Sequence, residues 1–360
     1  MKLEFTNLGG LQSPYDYRMV PAGLIATGIP LPASFKNDIS PFPIWNQKKI
    51  GSCVGHALAK HMQIYWYRKT GQLVDFSPRW LYAMAKCVDE WEGEGTYPAT
   101  MAKIMKDYGC ATEATVPNNS DLTHENYVYQ RKMENIPKAA FKEAEKYKIP
   151  GYAFVDMKNT EEVKRVLYEN GPFAGLLRLG KEWWTDENGI STWDKNKINP
   201  LRPPKVIVSG HEIVLYGYDE TSFYDLSNSW SSLWNDSGNG TISISKYAPF
   251  LIEGLIIKEL PPPIVDEVKR LPKKPKHKFL IDLAYGTMKN PEVVALQDCL
   301  KYEGLMPAVI PSTGNYLEET RKAVLAFQKK YKLINLFQEI TYQGRFCYLL
   351  TRTKLNELYN

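Results

Sequence analysis

The sequence predicts an α+β fold in two lobes, one helical and one of antiparallel strands, followed by a small three-helix domain. Three observations carry that expectation. Apolar residues recur at helical spacing between Gly51 and Gly109, short strand-like runs begin near Pro150, and a proline-rich basic stretch over 261–279 sets the remainder of the chain apart. We therefore expect a lead-in over 1–30, a main domain over 31–260, a linker over 261–279 and a tail domain over 280–360.

In the helical lobe, Val54, Ala57, Leu58, Met62 and Tyr65 share one helix face, Gly71 would stop the helix, and Cys53 sits at its N-terminal edge. Two shorter helices are expected in PRWLYAMAKC and in ATMAKIMKDYG, the second ending at Gly109. The strand lobe rests on HEIVLYGYD, SFYDLSNSW and GTISIS, in which aromatic and β-branched residues lie between glycine and polar breaks. A cleft between two such lobes is where groups distant in sequence can meet.

Composition narrows the classes. The 360 residues are 44% hydrophobic and 24% charged, as in a chain of two or three globular domains, and 24 Gly with 24 Pro exclude a collagen-like chain. The longest apolar run, Phe250 to Ile257, is short and holds Glu253, which excludes a membrane span there. No apolar core of signal-peptide length appears at the start, so no export signal is expected and a cytoplasmic location before release is left open. The net charge of +5 is concentrated in the tail: Ile264 to Lys278 holds six Lys/Arg against two acids. Such a run can meet nucleic acid, anionic lipid or wall polymer, but a solvated linker held extended by proline is the favoured reading. Five cysteines leave at least one thiol unpaired, and that thiol is the first candidate nucleophile.

A cysteine attacks as thiolate, and a helix N-terminus or a neighbouring imidazolium lowers its pKa. Cys53 has the helix position. Gln47, six residues upstream, offers a side-chain amide that can join the Cys53 backbone N–H as an oxyanion donor pair. His211 lies on an expected strand, and Asn228 can fix the tautomer of an imidazole. Singly, each residue reads more readily as structural; together and in this order they read as a catalytic set.

In these residues the chain resembles papain-like cysteine peptidases: Gln47, then Gly51-Ser52-Cys53, then His211, then Asn228-Ser229-Trp230. The resemblance covers residues 31 to 258 and implies a two-lobed fold with Cys53, His211, Asn228 and Gln47 as catalytic residues. It further implies that Gly95, Thr96, Tyr97 and Pro98 form the segment that binds substrate backbone, that Gly171-Pro172 opens the β half, and that Trp230 and Trp234 border the substrate. Pro14 to Met19, followed by LPASF, is similar to the lead-in of bacterial members, which implies a prokaryotic or phage origin.

The chain departs from the family pattern in several places. Ile50 stands where the family has a cysteine, Val54 where it has a tryptophan, and Thr96 where it has a second glycine. Glu212 replaces the small residue after the catalytic histidine and puts an acid in the main specificity pocket, unless it turns away to pair with a surface lysine. No long propeptide precedes Cys53, so the usual inhibitory latency is expected to be missing. His56 and His61, five apart on a helix, point about 140° from one another, and no zinc-type spacing appears, so neither metal nor cofactor is expected. Cys87 with Cys110, and Cys299 with Cys347, read as buried thiols, with bridges left open.

In the tail, NPEVVALQDCLKYEGLM reads as a helix, Thr320 as the cap of a second before Ala323, Val324 and Phe327, and a third follows Gly344. Leu296-Gln297, Gly314, Thr320, Phe327-Gln328 and Thr351 are similar to the three-helix peptidoglycan-binding domain of bacterial and phage wall hydrolases, with a helical dimerisation module as the alternative. The expected function is therefore cysteine endopeptidase activity on a peptide or protein substrate, held at peptidoglycan by residues 280–360 and possessing an endolysin-like character. No nucleic acid partner is expected. The rivals are a wall-binding protein on a weak peptidase scaffold and an acyltransferase on the same scaffold.

Overall fold

The computed structural model describes residues 9–14, 22, 30–89, 91–118, 128–184, 200–221, 223–259, 274–306 and 311–360. Most of the lead-in motif beginning at Pro14 and most of the basic linker lie outside them. The chain divides into two compact units, Met1–Pro261 and Pro262–Asn360. No helix among the described residues is long and apolar enough to cross a membrane.

Helix α1 (Cys53–Thr70) ends where expected, Gly71 taking φ 73 and donating its N–H to the Tyr67 carbonyl. A left-handed residue there costs glycine nothing and satisfies an otherwise unpaired carbonyl. Every residue from Cys53 to Ile64 is buried, so the first three turns run through the protein rather than along its surface. The two shorter expected helices are α2 (Pro78–Val88), capped by the Ser77 side chain and opened by proline, and α3 (Pro98–Asp107).

The β lobe is one antiparallel sheet of seven strands, with order β2 (Tyr152–Val155), β7 (Leu251–Ile257), β3 (Phe173–Leu179), β4 (Ser209–Tyr218), β5 (Phe223–Ser227) and β6 (Asn239–Ser243), while β1 (Phe35–Lys36) pairs with β4. The three strand-like runs of the sequence are β4, β5 and β6. The apolar run containing Glu253 is β7, which pairs with β2 and β3. Helix α1 packs against β3, β4 and β7, and its first residue, Cys53, lies against the Glu212 backbone of β4. Trp183, Trp230, Trp234, Tyr224 and Tyr247 fill the core on this side.

The C-terminal unit has its own core, built from Val293, Leu296, Tyr316, Val324, Phe327 and Leu355. The expected helices appear at Pro291–Tyr302, Glu318–Lys330 and Leu349–Tyr359, but a fourth at Leu336–Tyr342 was not anticipated. Its signal was present in the sequence: Asn335 and Gln338 form a reciprocal capping box. Thr320 is not a cap. It lies inside its helix, buried, and its Oγ1 accepts a hydrogen bond from Gln297 Nε2 at 2.8 Å, as Thr351 Oγ1 accepts from Gln328 Nε2 at 2.9 Å. The Leu-Gln and Phe-Gln repeats are thus internal braces. Phe279, read as linker, is buried in this core, and the His277 N–H donates to the Tyr359 carbonyl. All five cysteines are free.

Candidate active site

Cys53 is the first residue of α1 and is fully buried. A helix start carries partial positive charge and unpaired N–H groups, the environment a developing thiolate or oxyanion needs. The preceding Gly51 N–H donates to Glu94 Oε2 at 2.7 Å, which ties this turn to the segment from Gly95 to Pro98. That segment is anchored from behind, Gly95 donating to the Tyr82 hydroxyl and accepting from Lys86 Nζ, both at 3.1 Å.

His211 and Asn228 meet across β4 and β5. Asn228 Oδ1 accepts the Ser229 N–H at 2.7 Å and faces His211 Nε2 at 2.8 Å. Because an amide oxygen only accepts, Nε2 carries the ring hydrogen and Nδ1 holds the lone pair. Among the described residues Nδ1 is buried without a hydrogen-bond partner, so the basic nitrogen is unoccupied. The Trp230 ring lies over His211 with centroids 4.9 Å apart, and Trp183 meets it edge-on at 6.1 Å.

Gln47 is buried, donating from Nε2 to the Ile50 carbonyl at 3.0 Å and accepting the Ser229 hydroxyl at 2.6 Å. One Nε2 hydrogen is thereby used, and an amide nitrogen carries a second. The Gln47 backbone also donates to the Ser229 carbonyl at 2.8 Å, so the loop before α1 is pinned to the Asn228-Ser229-Trp230 turn.

Part of the N-terminal lead-in lies against Cys53 and the start of β4. Gly9 to Ser13 lies along the Gly95–Pro98 segment: Thr96 donates to the Gly9 carbonyl at 2.9 Å, and the Leu11 N–H donates to the Thr96 carbonyl at 3.1 Å. On the other side the Gly10 N–H donates to the carbonyl of Gly210, the neighbour of His211, at 3.1 Å. Threonine at position 96 leaves both backbone groups available for this pairing. The approach is close enough that a Cβ on Gly9 would stand 1.7 Å from the Gly51 carbonyl oxygen.

This enclosure sets the ionisation state. Burial is the largest cause pushing the Cys53 thiol up to about 12, and the nearby Glu212 carboxyl adds to it, while backbone hydrogen bonds from Glu212, Gly9 and Val54 act the other way. Burial likewise lowers His211 to about 4, with His56 contributing repulsion and the Asn228 bond opposing. With the segment seated, the pair is a neutral thiol and a neutral imidazole.

Residues 35–252 match the papain family of cysteine proteases. The chain belongs to that family. Residues 289–334 match the peptidoglycan binding domain family, so the papain-family domain is followed by a C-terminal peptidoglycan-binding domain. A search of curated proteins finds no match. Among solved structures, the chain is similar to xylellain, a cysteine protease from Xylella fastidiosa, at 18% identity and TM-score 0.61, covering 72% of this chain and 99% of that one. It is also similar to procathepsin B S9 from Trypanosoma congolense at 15% identity and TM-score 0.54, covering 71% of this chain and 87% of that one. These likenesses establish the papain-like fold.

In this papain-family chain the sequence-derived residues divide by position. His211 bonds Asn228, Gln47 bonds the adjacent Ser229, and Cys53 lies beside Glu212, the neighbour of His211, while Gly95, Thr96 and Pro98 are buried along residues 9–11, with Tyr97 partly exposed. Trp230 and Trp234 are fully buried, Trp230 against the His211 ring and Trp234 against Trp183 and Trp230. Glu212 is 1% exposed and meets no lysine: neither carboxyl oxygen has a hydrogen-bond partner among the described residues. His56 and His61 have separate duties, His56 bonding Ser52 and Asn118 while His61 Nε2 accepts the Ile257 N–H. Sequence reasoning missed Trp183 and Trp184, the second stacked on Trp230 at 5.6 Å; an adjacent Trp pair within a polar stretch was the available signal. It also missed Lys86 and Tyr82, whose helical spacing reads only as packing.

Proposed function

We propose that this protease hydrolyses peptide bonds through Cys53, His211 and Asn228, with Gln47 completing the oxyanion site. The observation that carries the reading is the His211 geometry: Nε2 is committed to Asn228 Oδ1 and Nδ1 is left bare. His211 Nδ1 takes the thiol proton, and the Cys53 sulfur attacks the carbonyl carbon. The Cys53 backbone N–H and the second Gln47 Nε2 hydrogen stabilise the oxyanion. Collapse of the tetrahedral intermediate expels the amine, protonated from His211. Water then attacks the thioester, giving its proton to Nδ1, and Cys53 leaves with that proton restored.

Substrate backbone would replace residues 9–11 along Thr96, with Tyr97, Pro98 and Glu212 shaping the side-chain pocket. The C-terminal domain holds the enzyme at peptidoglycan, which supports an endolysin-like role. The test is mass spectrometry of fragments released from isolated walls and, separately, from a denatured proteome, with wild type and Cys53→Ala. Wall-peptide fragments absent in the variant support the role; protein fragments alone would reassign the substrate. No fragments from either would favour the weak-scaffold reading, and transfer of the acyl group to an added amine in preference to water would favour an acyltransferase.

A further inference from the structure

The Cys53 N–H, one of the two oxyanion donors, belongs to a peptide group whose other end is the Ser52 carbonyl. That carbonyl receives two hydrogen bonds. The His56 backbone N–H donates to it at 3.1 Å, the ordinary bond of a helix start, and His56 Nδ1 lies 2.9 Å from the same oxygen. A carbonyl oxygen only accepts, so Nδ1 carries the ring hydrogen. The Ser52 hydroxyl oxygen, 3.2 Å from Nδ1, is the more distant acceptor of that hydrogen.

The surroundings hold the ring in this state. Nε2 keeps its lone pair, and Asn118 Nδ2 donates to it at 2.9 Å. The Asn118 N–H in turn donates to Glu113 Oε1 at 2.5 Å. His56 is almost wholly buried, and burial lowers its pKa to about 4 against the opposing bond to the Ser52 backbone, so the ring is neutral near pH 7. A neutral imidazole pinned at both nitrogens keeps one tautomer and one plane. Hydrogen bonds that share a peptide group polarise one another, and charge drawn onto the Ser52 oxygen makes the Cys53 N–H a stronger donor. The second bond also fixes the plane of that peptide, and with it the direction of the N–H.

We propose that His56 is a positioning residue of the oxyanion site, its Nδ1–H gripping the Ser52 carbonyl so that the Cys53 N–H of the same peptide group is aimed and strengthened as a donor. The inference rests on the peptidase reading and adds to it a residue that acts only through Ser52.

The test uses the full chain, with wild type compared against His56→Gln, His56→Asn and Asn118→Leu. Asparagine carries its amide nitrogen where histidine carries Nδ1 and keeps the donor to Ser52; glutamine carries it one bond farther, near the place of Nε2, and loses that donor. Asn118→Leu leaves α1 untouched and frees Nε2, so the ring is no longer held to the tautomer that donates to Ser52. Each protein is treated with cinnamoyl imidazole, whose acyl group passes to the Cys53 sulfur as a thioester while imidazole leaves with the thiol proton. Alkylation of Cys53 by iodoacetamide, located by peptide mapping, is measured on the same preparation, because that displacement develops no oxyanion. The ratio of acylation rate to alkylation rate cancels the folded fraction and the coverage of the site by residues 9–13. It should fall by about 2- to 8-fold in His56→Gln, since a cooperative strengthening of about 10–30% acts on a donor worth about 10²- to 10³-fold, and it should match wild type in His56→Asn. The isotope-edited carbonyl stretch of the thioester is read only from molecules that have acylated. It should move to higher frequency in His56→Gln and in Asn118→Leu, and return to the wild-type position in His56→Asn. An unshifted stretch in His56→Gln or Asn118→Leu, a fall in the ratio that His56→Asn shares, or equal slowing of acylation and alkylation would overturn the role of His56 while leaving the peptidase reading intact. Failure of wild type to form the thioester at Cys53 would overturn both.

Discussion

Replacing Gly9 by alanine should expel the segment over residues 9–13 and open the site. The added Cβ would stand 1.7 Å from the Gly51 carbonyl oxygen and 2.7 Å from the Gly95 Cα, backbone atoms that no side-chain rotation can clear. Five hydrogen bonds hold the segment: Gly10 N–H to Gly210, Leu11 N–H to Thr96, Thr96 N–H to Gly9, Ser13 N–H to Glu253, and Ala99 N–H to Ser13 Oγ. At about 1 kcal/mol net for each of the four neutral bonds and about 3 kcal/mol for the one to the Glu253 carboxylate, less about 1 kcal/mol of ordering for each of the five residues fixed, they leave a hold of about 2 kcal/mol. That hold corresponds to a seated-to-open ratio between about 10 and 100. In the seated state burial holds the Cys53 thiol well above its ordinary range and residues 9–13 cover it, so reaction comes almost wholly from the open state. Gly9→Ala should therefore raise both the rate of Cys53 alkylation by iodoacetamide and the turnover of a short soluble peptide by about 10- to 100-fold. Peptide mapping assigns the alkylated residue, since Cys87, Cys110, Cys299 and Cys347 are also free thiols. An unchanged Cys53 alkylation rate in a variant that melts like wild type would refute the reasoning.

Gln47→Ala should lower kcat by about 100-fold with little change in KM, because the lost donor acts on the oxyanion; a raised KM at constant kcat would assign the side chain to ground-state binding. Lys60 is buried, burial lowers its pKa to about 7, and its Nζ donates to Ser227 Oγ at 2.7 Å beside Asn228. Between pH 7 and 10 the unfolded chain binds the Lys60 proton and the native state does not, so this group makes stability rise with pH by up to about 5 kcal/mol. The melting temperature of Lys60→Met relative to wild type should accordingly be highest near pH 7 and fall toward pH 10, and a constant offset would contradict the assignment. Truncation after Pro261 should abolish retention on insoluble peptidoglycan yet spare cleavage of a small peptide, whereas a truncated chain that still sediments with walls would remove the role of the tail.

The sequence by itself determined the main helices, three of the strands and the candidate catalytic residues. Apolar periodicity and Gly71 bound α1 to within a residue, and the aromatic and β-branched runs became β4, β5 and β6, because these signals are local and act through backbone preferences. Gln47, Cys53, His211 and Asn228 were legible because their order and short-range neighbours are carried in the chain itself. Tertiary structure decided what depends on contacts between distant segments. Thr320 reads as a cap by its position before an apolar run, but packing of the Pro291–Tyr302 helix turns it inward to receive Gln297. Trp234 borders the substrate only by what the family resemblance implies, and the fold stacks it on Trp183 in the core with centroids 5.9 Å apart. The seating of Gly9 to Ser13 along Thr96, and the meeting of Asn118 with His56, join segments far apart in the chain, which the periodicity within any single element leaves unspecified.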